Sequence, residues 1–196
     1  MIAILDYGGG NVGSVRKAIE YLGAEVTVAS RPEEIRAAAK LILPGQGHFG
    51  AMMKALGERG LVDPIREGVA QGRPMLGICL GLQALYESSE EAPGAHGLGL
   101  LEGRVRRFEG VFKVPHIGWS PIEVKEPRGI LRGIPNGSFV YFCHSYYAPL
   151  TPETSALTDY GQRLAAAAEF GSVAAVQFHP EKSGDTGLQI LRNFIE

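Results

Sequence analysis

In Met75-Leu76-Gly77-Ile78-Cys79-Leu80-Gly81-Leu82-Gln83 a short apolar run gives way to a cysteine with glycine two residues to either side. Residues 75–78 read as a buried strand and residues 80–87 as a helix, so Cys79 falls on the junction. A sharp strand-to-helix turn strains its central residue. It also brings backbone so close that side chains two residues before and after would collide with the neighbouring strand and helix, hence the glycines. That is a nucleophile elbow with sulfur in place of oxygen. N–H groups at the helix start would stabilise a thiolate, and the Leu80 N–H points where an oxyanion would form. An ordinary buried cysteine would need none of these neighbours.

Outward from the elbow, strand and helix alternate. Residues 2–6 form an apolar run stopped by Tyr7-Gly8-Gly9-Gly10. Val12, Val15, Ile19 and Leu22 then recur at helical spacing between Asn11, a candidate N-cap, and Gly23, a candidate stop. Residues 25–29 read as a second strand, and Ser30-Arg31-Pro32-Glu33 resembles a capping box opening a helix to about Lys40. Leu41-Ile42-Leu43 is a third strand ending in Pro44-Gly45-Gln46-Gly47, and a helical stretch runs on to about Gly72. This order predicts an α/β fold, a mostly parallel sheet with helices on both faces. Beyond Pro93-Gly94-Ala95-His96-Gly97 the pattern changes: residues 103–124, 139–143 and 164–178 look like strands without intervening helices, an antiparallel extension of the sheet. A last helix, residues 184–195, is expected to turn Leu188, Leu191 and Ile195 inward. With no repeat, linker or low-complexity tract, residues 1–196 are expected to form a single domain.

Composition removes several function classes. Apolar residues make up 45% and charged residues 20%, ordinary for a globular chain that buries its own core. A net charge of −2 without any basic stripe argues against nucleic acid. The chain reaches Asp6 too soon for a signal peptide, and no apolar run is of membrane-spanning length, so a cytoplasmic location is expected. Cys79 and Cys143 stand apart from any metal-ligand spacing; no disulfide, metal or cofactor is expected. Gly8-Gly9-Gly10-Asn11-Val12-Gly13 satisfies the dinucleotide fingerprint after a strand, but the second strand ends Val28-Ala29-Ser30 without the acid that would hold a ribose. A glycine-rich turn is the better reading.

A thiol nucleophile needs a base. Of five histidines, only His179 comes with an orienting group: in Val176-Gln177-Phe178-His179-Pro180-Glu181 the carboxylate two residues on could fix the imidazole's tautomer. Cys79, His179 and Glu181 thus form a candidate triad. A second oxyanion donor would come from Pro44-Gly45-Gln46-Gly47, where the peptide between Gln46 and Gly47 can turn its N–H inward.

These three motifs, in this order and spread over most of the chain, resemble the class I (triad) glutamine amidotransferases, whose fold is a flavodoxin-like sheet. Asp6-Tyr7-Gly8-Gly9-Gly10-Asn11, Pro115-His116-Ile117-Gly118-Trp119, Tyr141-Phe142-Cys143-His144-Ser145-Tyr146 and Lys182-Ser183 narrow the resemblance. They point to the branch of glutaminase subunits that form a heterodimer with a (β/α)₈-barrel cyclase in histidine biosynthesis. Gln46 departs from the valine more usual there. The resemblance implies hydrolysis of glutamine to glutamate and ammonia, with Gly47, Gln83, Glu91, His144, Ser145 and Tyr146 lining the pocket for the amino-acid end. It places Asn11, Trp119, Tyr141 and Lys182 near the partner interface. Gln83, four residues from Cys79, independently shares its helix face. Rival readings are the glutaminase subunits of pyridoxal phosphate synthase, which also serve a barrel partner, and a cysteine peptidase or thiol sensor built on the same elbow.

Overall fold

Ile2-Ala3-Ile4-Leu5 forms the first strand, β1, and all four of its side chains are buried. Ile2 and Ile4 enter one apolar cluster, Ala3 and Leu5 another. Successive side chains of a strand point to opposite faces, so a strand buried along its whole length needs helices on both sides. The computed structural model, which describes residues 1–110 and 113–196, has that arrangement.

The parallel half comprises β1 (Ile2–Leu5), α1 (Val12–Tyr21), β2 (Val26–Ala29), α2 (Pro32–Ala37), β3 (Lys40–Gly45), α3 (Phe49–Glu58), α4 (Val62–Ala70), β4 (Met75–Cys79) and α5 (Leu80–Gln83). Then follow β5 (Tyr86–Ser89), β6 (Leu101–Arg107), β7 (His116–Pro121), β8 (Glu123–Val124), β9 (Phe139–His144), β10 (Tyr146–Tyr147), β11 (Thr154–Asp159), β12 (Arg163–Phe170), β13 (Val173–Val176) and α6 (Gly184–Ile195). Eight strands make the main sheet in the order β2-β1-β3-β4-β13-β12-β11-β8. The first five pair in parallel, the flavodoxin-like order; β12, β11 and β8 add on antiparallel. Val15 and Ile19 of α1 and Ile190, Leu191 and Phe194 of α6 cover one face. Ile35 of α2, Phe49 and Met52 of α3 and Ile65 of α4 cover the other.

Several local expectations are corrected. The helix after Cys79 is one turn, Leu80–Gln83, rather than 80–87. The carbonyls of Ala84 and Leu85 accept N–H groups of Leu98, Leu100 and Leu101 instead of those of the next helical turn, and the fully buried Tyr86 starts β5 beside β6. The α2 cap lies one residue later than expected: the Glu34 carboxylate, not Glu33, accepts the N–H groups of Ser30 and Arg31, with Pro32 at the first helical position. In α6 the inward residues are Ile190, Leu191 and Phe194; Leu188 and Ile195 are only half-buried. The antiparallel extension takes in β8, β11 and β12, whereas β5, β6 and β10 form a separate three-stranded sheet and β7 with β9 a two-stranded hairpin. The part of the expected 103–124 run that falls on Val111 and Phe112 lies outside the described residues. No helix among the described residues is long and apolar enough to cross a membrane.

Parallel strands put all their C-terminal ends on one edge. Here the loops after β1, β3, β4 and β13 meet there, carrying Asn11, Gly47, Cys79 and His179.

Candidate active site

Cys79 sits at φ 55°, ψ −106°, the one non-glycine residue at positive φ among the described residues. Close packing on both sides holds this strained turn. A Cβ on Gly77 would come 2.8 Å from the Gly81 carbonyl oxygen, and one on Gly81 would come 2.0 Å from that of Leu43 in β3. The glycines are therefore demanded by backbone, which cannot move aside as a side chain could. Because α5 is a single turn, its macrodipole is small; what it offers an oxyanion is the N–H of Leu80 itself.

His179 follows β13, which pairs with β4 so that Val176 lies opposite Ile78. Its ring is 3% exposed, with Nδ1 2.8 Å from Oε1 of Glu181, whose side chain is fully buried. Nδ1 donates to that carboxylate, leaving Nε2 for the Cys79 sulfur. Burial alone would push the imidazolium's pKa down, but the hydrogen bonds and charges of Cys79 and Glu181 outweigh it and hold the pKa at about 10. Burial likewise works to raise the Glu181 carboxyl, and His179 overrides it, so its pKa is lowered. Protonated His179 beside the sulfur is a ready general acid.

Asn11 does not cap α1 through its side chain. Its Nδ2 donates instead to Glu181 Oε1 at 2.9 Å, across 170 residues of sequence, bracing the carboxylate behind the imidazole. The glycine-rich turn after β1 thus delivers Asn11 to Glu181. Within it, Tyr7 packs under Gly9 and lies beside the Gln46 amide; burial raises the phenol's pKa, and the backbone hydrogen bond with that amide partly offsets it.

A cavity of about 250 Å³ opens over the sulfur, smaller than the roughly 300–1,000 Å³ of sites for drug-sized ligands and suited to a single amino acid. Gly47, Gln83, Glu91, His144, Ser145 and Tyr146 all line it, together with Cys79, Leu80, His179 and Lys182. Gly47 stands at φ +103°, a conformation that frees the preceding peptide from the usual L-residue restrictions. Glu91 accepts the Phe49 N–H at 2.6 Å and so fixes the start of α3 against the pocket. Gln83 is 3% exposed, and its amide nitrogen is engaged within the protein, at 2.8 Å from Tyr146 O and 3.1 Å from Gln177 Oε1. Only its oxygen is left for a ligand. Among the described residues no cluster of three His, Cys, Asp or Glu could hold a metal ion.

Trp119, Tyr141 and Lys182 lie together on the outer side of the β7–β9 hairpin. Trp119 is 53% exposed and edge-on to Tyr141, with ring centroids 6.1 Å apart; Lys182 Nζ lies 6.0 Å from the Tyr141 ring centroid. Ile117 and Phe139 are exposed on the same hairpin, so alternation leaves an apolar outer face. The Tyr141 backbone ties this hairpin to the triad segment: its carbonyl accepts the His179 N–H, and its N–H donates to Ser183 Oγ. On the inner face His116 and His144 form a buried pair, Nδ1 to Nε2 at 3.1 Å. Burial lowers their pKa values to about 4 and about 3, so both are neutral at pH 7.

Sequence reasoning missed Gln177, whose Nε2 lies 3.7 Å from Cys79 Sγ, and gave no hint that Asn11 meets Glu181. A signal for the first existed: Gln177 is the one polar residue in the fully buried run from Val173 to Phe178.

Comparison with known proteins agrees with this geometry. The family model for "Glutamine amidotransferase class-I" matches residues 3–196. "Imidazole glycerol phosphate synthase subunit HisH" of Methanosarcina mazei is 51% identical over 199 residues, covering 100% of this chain and 98% of that protein. The protein of the same name from Bacillus cereus (strain G9842) is 47% identical over 195 residues, covering 99% and 93%. A crystal structure of a glutamine amidotransferase, 24% identical, superposes with a TM-score of 0.77 over 98% of both chains and shares the fold. A family model spanning almost every residue, and relatives alike from end to end, establish that the chain belongs to the class I glutamine amidotransferases.

Proposed function

We propose that this chain is the glutaminase subunit of imidazole glycerol phosphate synthase, one glutamine amidotransferase domain over residues 1–196 that acts in the cytoplasm. One observation carries the reading: Cys79, strained at an elbow, contacts an imidazole backed by Glu181 at the floor of an amino-acid-sized cavity, in a chain that matches proteins of that name along its length.

The chemistry follows from the residues. The Cys79 sulfur attacks the side-chain carboxamide carbon of glutamine, and the carbonyl electron pair moves to oxygen, where the Leu80 and Gly47 N–H groups receive it. As the tetrahedral adduct collapses, the C–N bond breaks and His179 protonates the leaving nitrogen, releasing ammonia and a thioester. His179, now neutral, takes a proton from water; the hydroxide oxygen adds to the thioester and the C–S bond breaks, giving glutamate and the free sulfur. Glu181, braced by Asn11, keeps the imidazole in one tautomer throughout. Glu91, the oxygen of Gln83 and the segment His144-Ser145-Tyr146 hold the amino-acid end.

Ammonia released into neutral water would be protonated and lose its nucleophilic pair, so it passes to a cyclase of (β/α)₈-barrel type bound as a heterodimer. The exposed face of Ile117, Trp119 and Tyr141, next to Lys182, is where that partner docks. The relatives' names favour this cyclase over a pyridoxal phosphate synthase partner. Cys79→Ala, assayed for glutamate release in the complex, is expected to lose at least about a thousandfold in rate with an unchanged melting curve. Retained turnover would remove the nucleophile assignment.

A further inference from the structure

We infer that Gln177 is a further catalytic residue: its side-chain amide donates a hydrogen bond to the Cys79 sulfur, aimed there by Gln83, whose own amide is oriented by the Tyr146 carbonyl. The inference rests on Cys79 being the nucleophile.

The direction of every bond around these amides is set by one atom that can only accept, the backbone oxygen of Tyr146. On one side His144 Nδ1 lies 2.8 Å from it and must carry the proton. His144 Nε2 is then bare and accepts from His116 Nδ1 at 3.1 Å, which leaves His116 Nε2 bare to accept from Ser120 Oγ at 2.8 Å. On the other side Gln83 Nε2 donates to the same oxygen at 2.8 Å, and its second hydrogen goes to Gln177 Oε1 at 3.1 Å. With its oxygen so committed, Gln177 can present only N–H to the sulfur, 3.7 Å away.

Burial argues the same way. Gln177 is 0% exposed between Val176 and Phe178, both also 0% exposed. An amide there is costly unless both ends are satisfied, and a leucine or methionine would fill the space without that cost. Here each end has one partner, and one of them is the reacting atom. An N–H donor favours the thiolate over the thioether-like sulfur of the acyl enzyme. It therefore holds the sulfur as thiolate before attack and helps when the thioester C–S bond breaks and its electron pair returns to sulfur. The other polar groups around the sulfur are His179 with Glu181 behind it, Tyr7 from the end of β1, and the Cys143 carbonyl at 3.9 Å; neutral His144 faces His179.

The test uses Gln177→Met, which keeps bulk and removes the donor, in the complex with the cyclase. Glutaminase kcat at pH 7 should fall about 10- to 100-fold, with KM changed less than about threefold, as expected for a lost hydrogen bond to a charged group. Alkylation of Cys79 by iodoacetamide at pH 7 should slow about tenfold and recover as the pH is raised. A folded Gln177→Met that is alkylated at the wild-type rate would overturn the assignment. Should that variant not fold, the wild-type protein decides: the Gln177 side-chain amide resonances must shift when Cys79 is alkylated, and unmoved resonances would overturn it equally. The two levels separate cleanly. Turnover in Cys79→Ala removes the nucleophile and this inference together, whereas an inactive Cys79→Ala with a wild-type-like Gln177→Met removes Gln177 alone.

Discussion

The elbow at Cys79 and the β7–β9 hairpin supply opposite walls of one cavity, and they are built on opposite principles. Around the elbow the constraint is backbone against backbone: Gly81 under the Leu43 carbonyl, Gly77 under that of Gly81, and no side chain free to absorb an error. In the hairpin the constraint is carried by side chains. His116 and His144 hold its inner face through directed hydrogen bonds, while Ile117, Trp119 and Phe139 leave its outer face exposed and apolar. The first wall is rigid by exclusion of volume. The second is held by a protonation pattern and left unfinished on its outer side, the face proposed above for docking.

The sharpest way to test the rigid wall is Gly81→Ala. The added carbon would lie 2.0 Å from a backbone oxygen, so strand β3 or the elbow must move. The expected result is a loss of at least about 3 kcal/mol in stability by urea unfolding, and a roughly hundredfold loss of glutaminase rate in whatever remains folded. A variant of wild-type stability and activity would show that the elbow yields.

The contrast also explains what could be read from the sequence. The elbow was readable because its cause is local: strand, glycine, cysteine and glycine within a few residues, and His179 with Glu181 close together on another strand end. The parallel pairing among β1 to β4 followed in the same way from alternation, though not their order in the sheet. Contacts such as Asn11 to Glu181 were not readable, since nothing near Asn11 separates an N-cap from a residue that reaches across the fold. The one-turn length of α5 was missed because apolar spacing continues past Gln83, while the carbonyls of Ala84 and Leu85 are captured by residues near Leu100. His144, Ser145 and Tyr146 came only through family resemblance, because their shared pocket depends on how a separate hairpin leans on the main sheet.

Acid should break the second wall and spare the first. His116 and His144 have native pKa values of about 4 and about 3, below the usual histidine value of 6.5. The unfolded chain therefore binds protons that the native protein refuses. Stability from these two is complete above pH 6.5 and is lost as pH falls towards their native values. His179, shifted upward, works in the other direction: its contribution is complete below pH 6.5 and is lost as pH rises from there through about 10. Unfolding free energies from urea titrations should fall by about 3 kcal/mol or more between pH 7 and pH 4, and His116→Phe should flatten that slope. An equal slope in the variant would shift the acid sensitivity elsewhere.

Trp119→Ala probes the hairpin's outer face, and the smallest effect on the isolated chain is expected there. Trp119 is 53% exposed, and its ring contact is with Tyr141 on the adjacent strand, so truncation removes little packing. Stability should change by no more than about 0.5–1 kcal/mol. A large aromatic at the centre of an apolar face, beside Tyr141 and Lys182, has the character of an interface hot spot, whose loss costs about 2 kcal/mol of binding, or more than tenfold in affinity. Calorimetric titration with the cyclase reads one quantity and thermal unfolding of the isolated chain the other. If affinity held while the melting temperature dropped by several degrees, Trp119 would belong to the hairpin's own packing, and both faces of that wall would serve the fold alone.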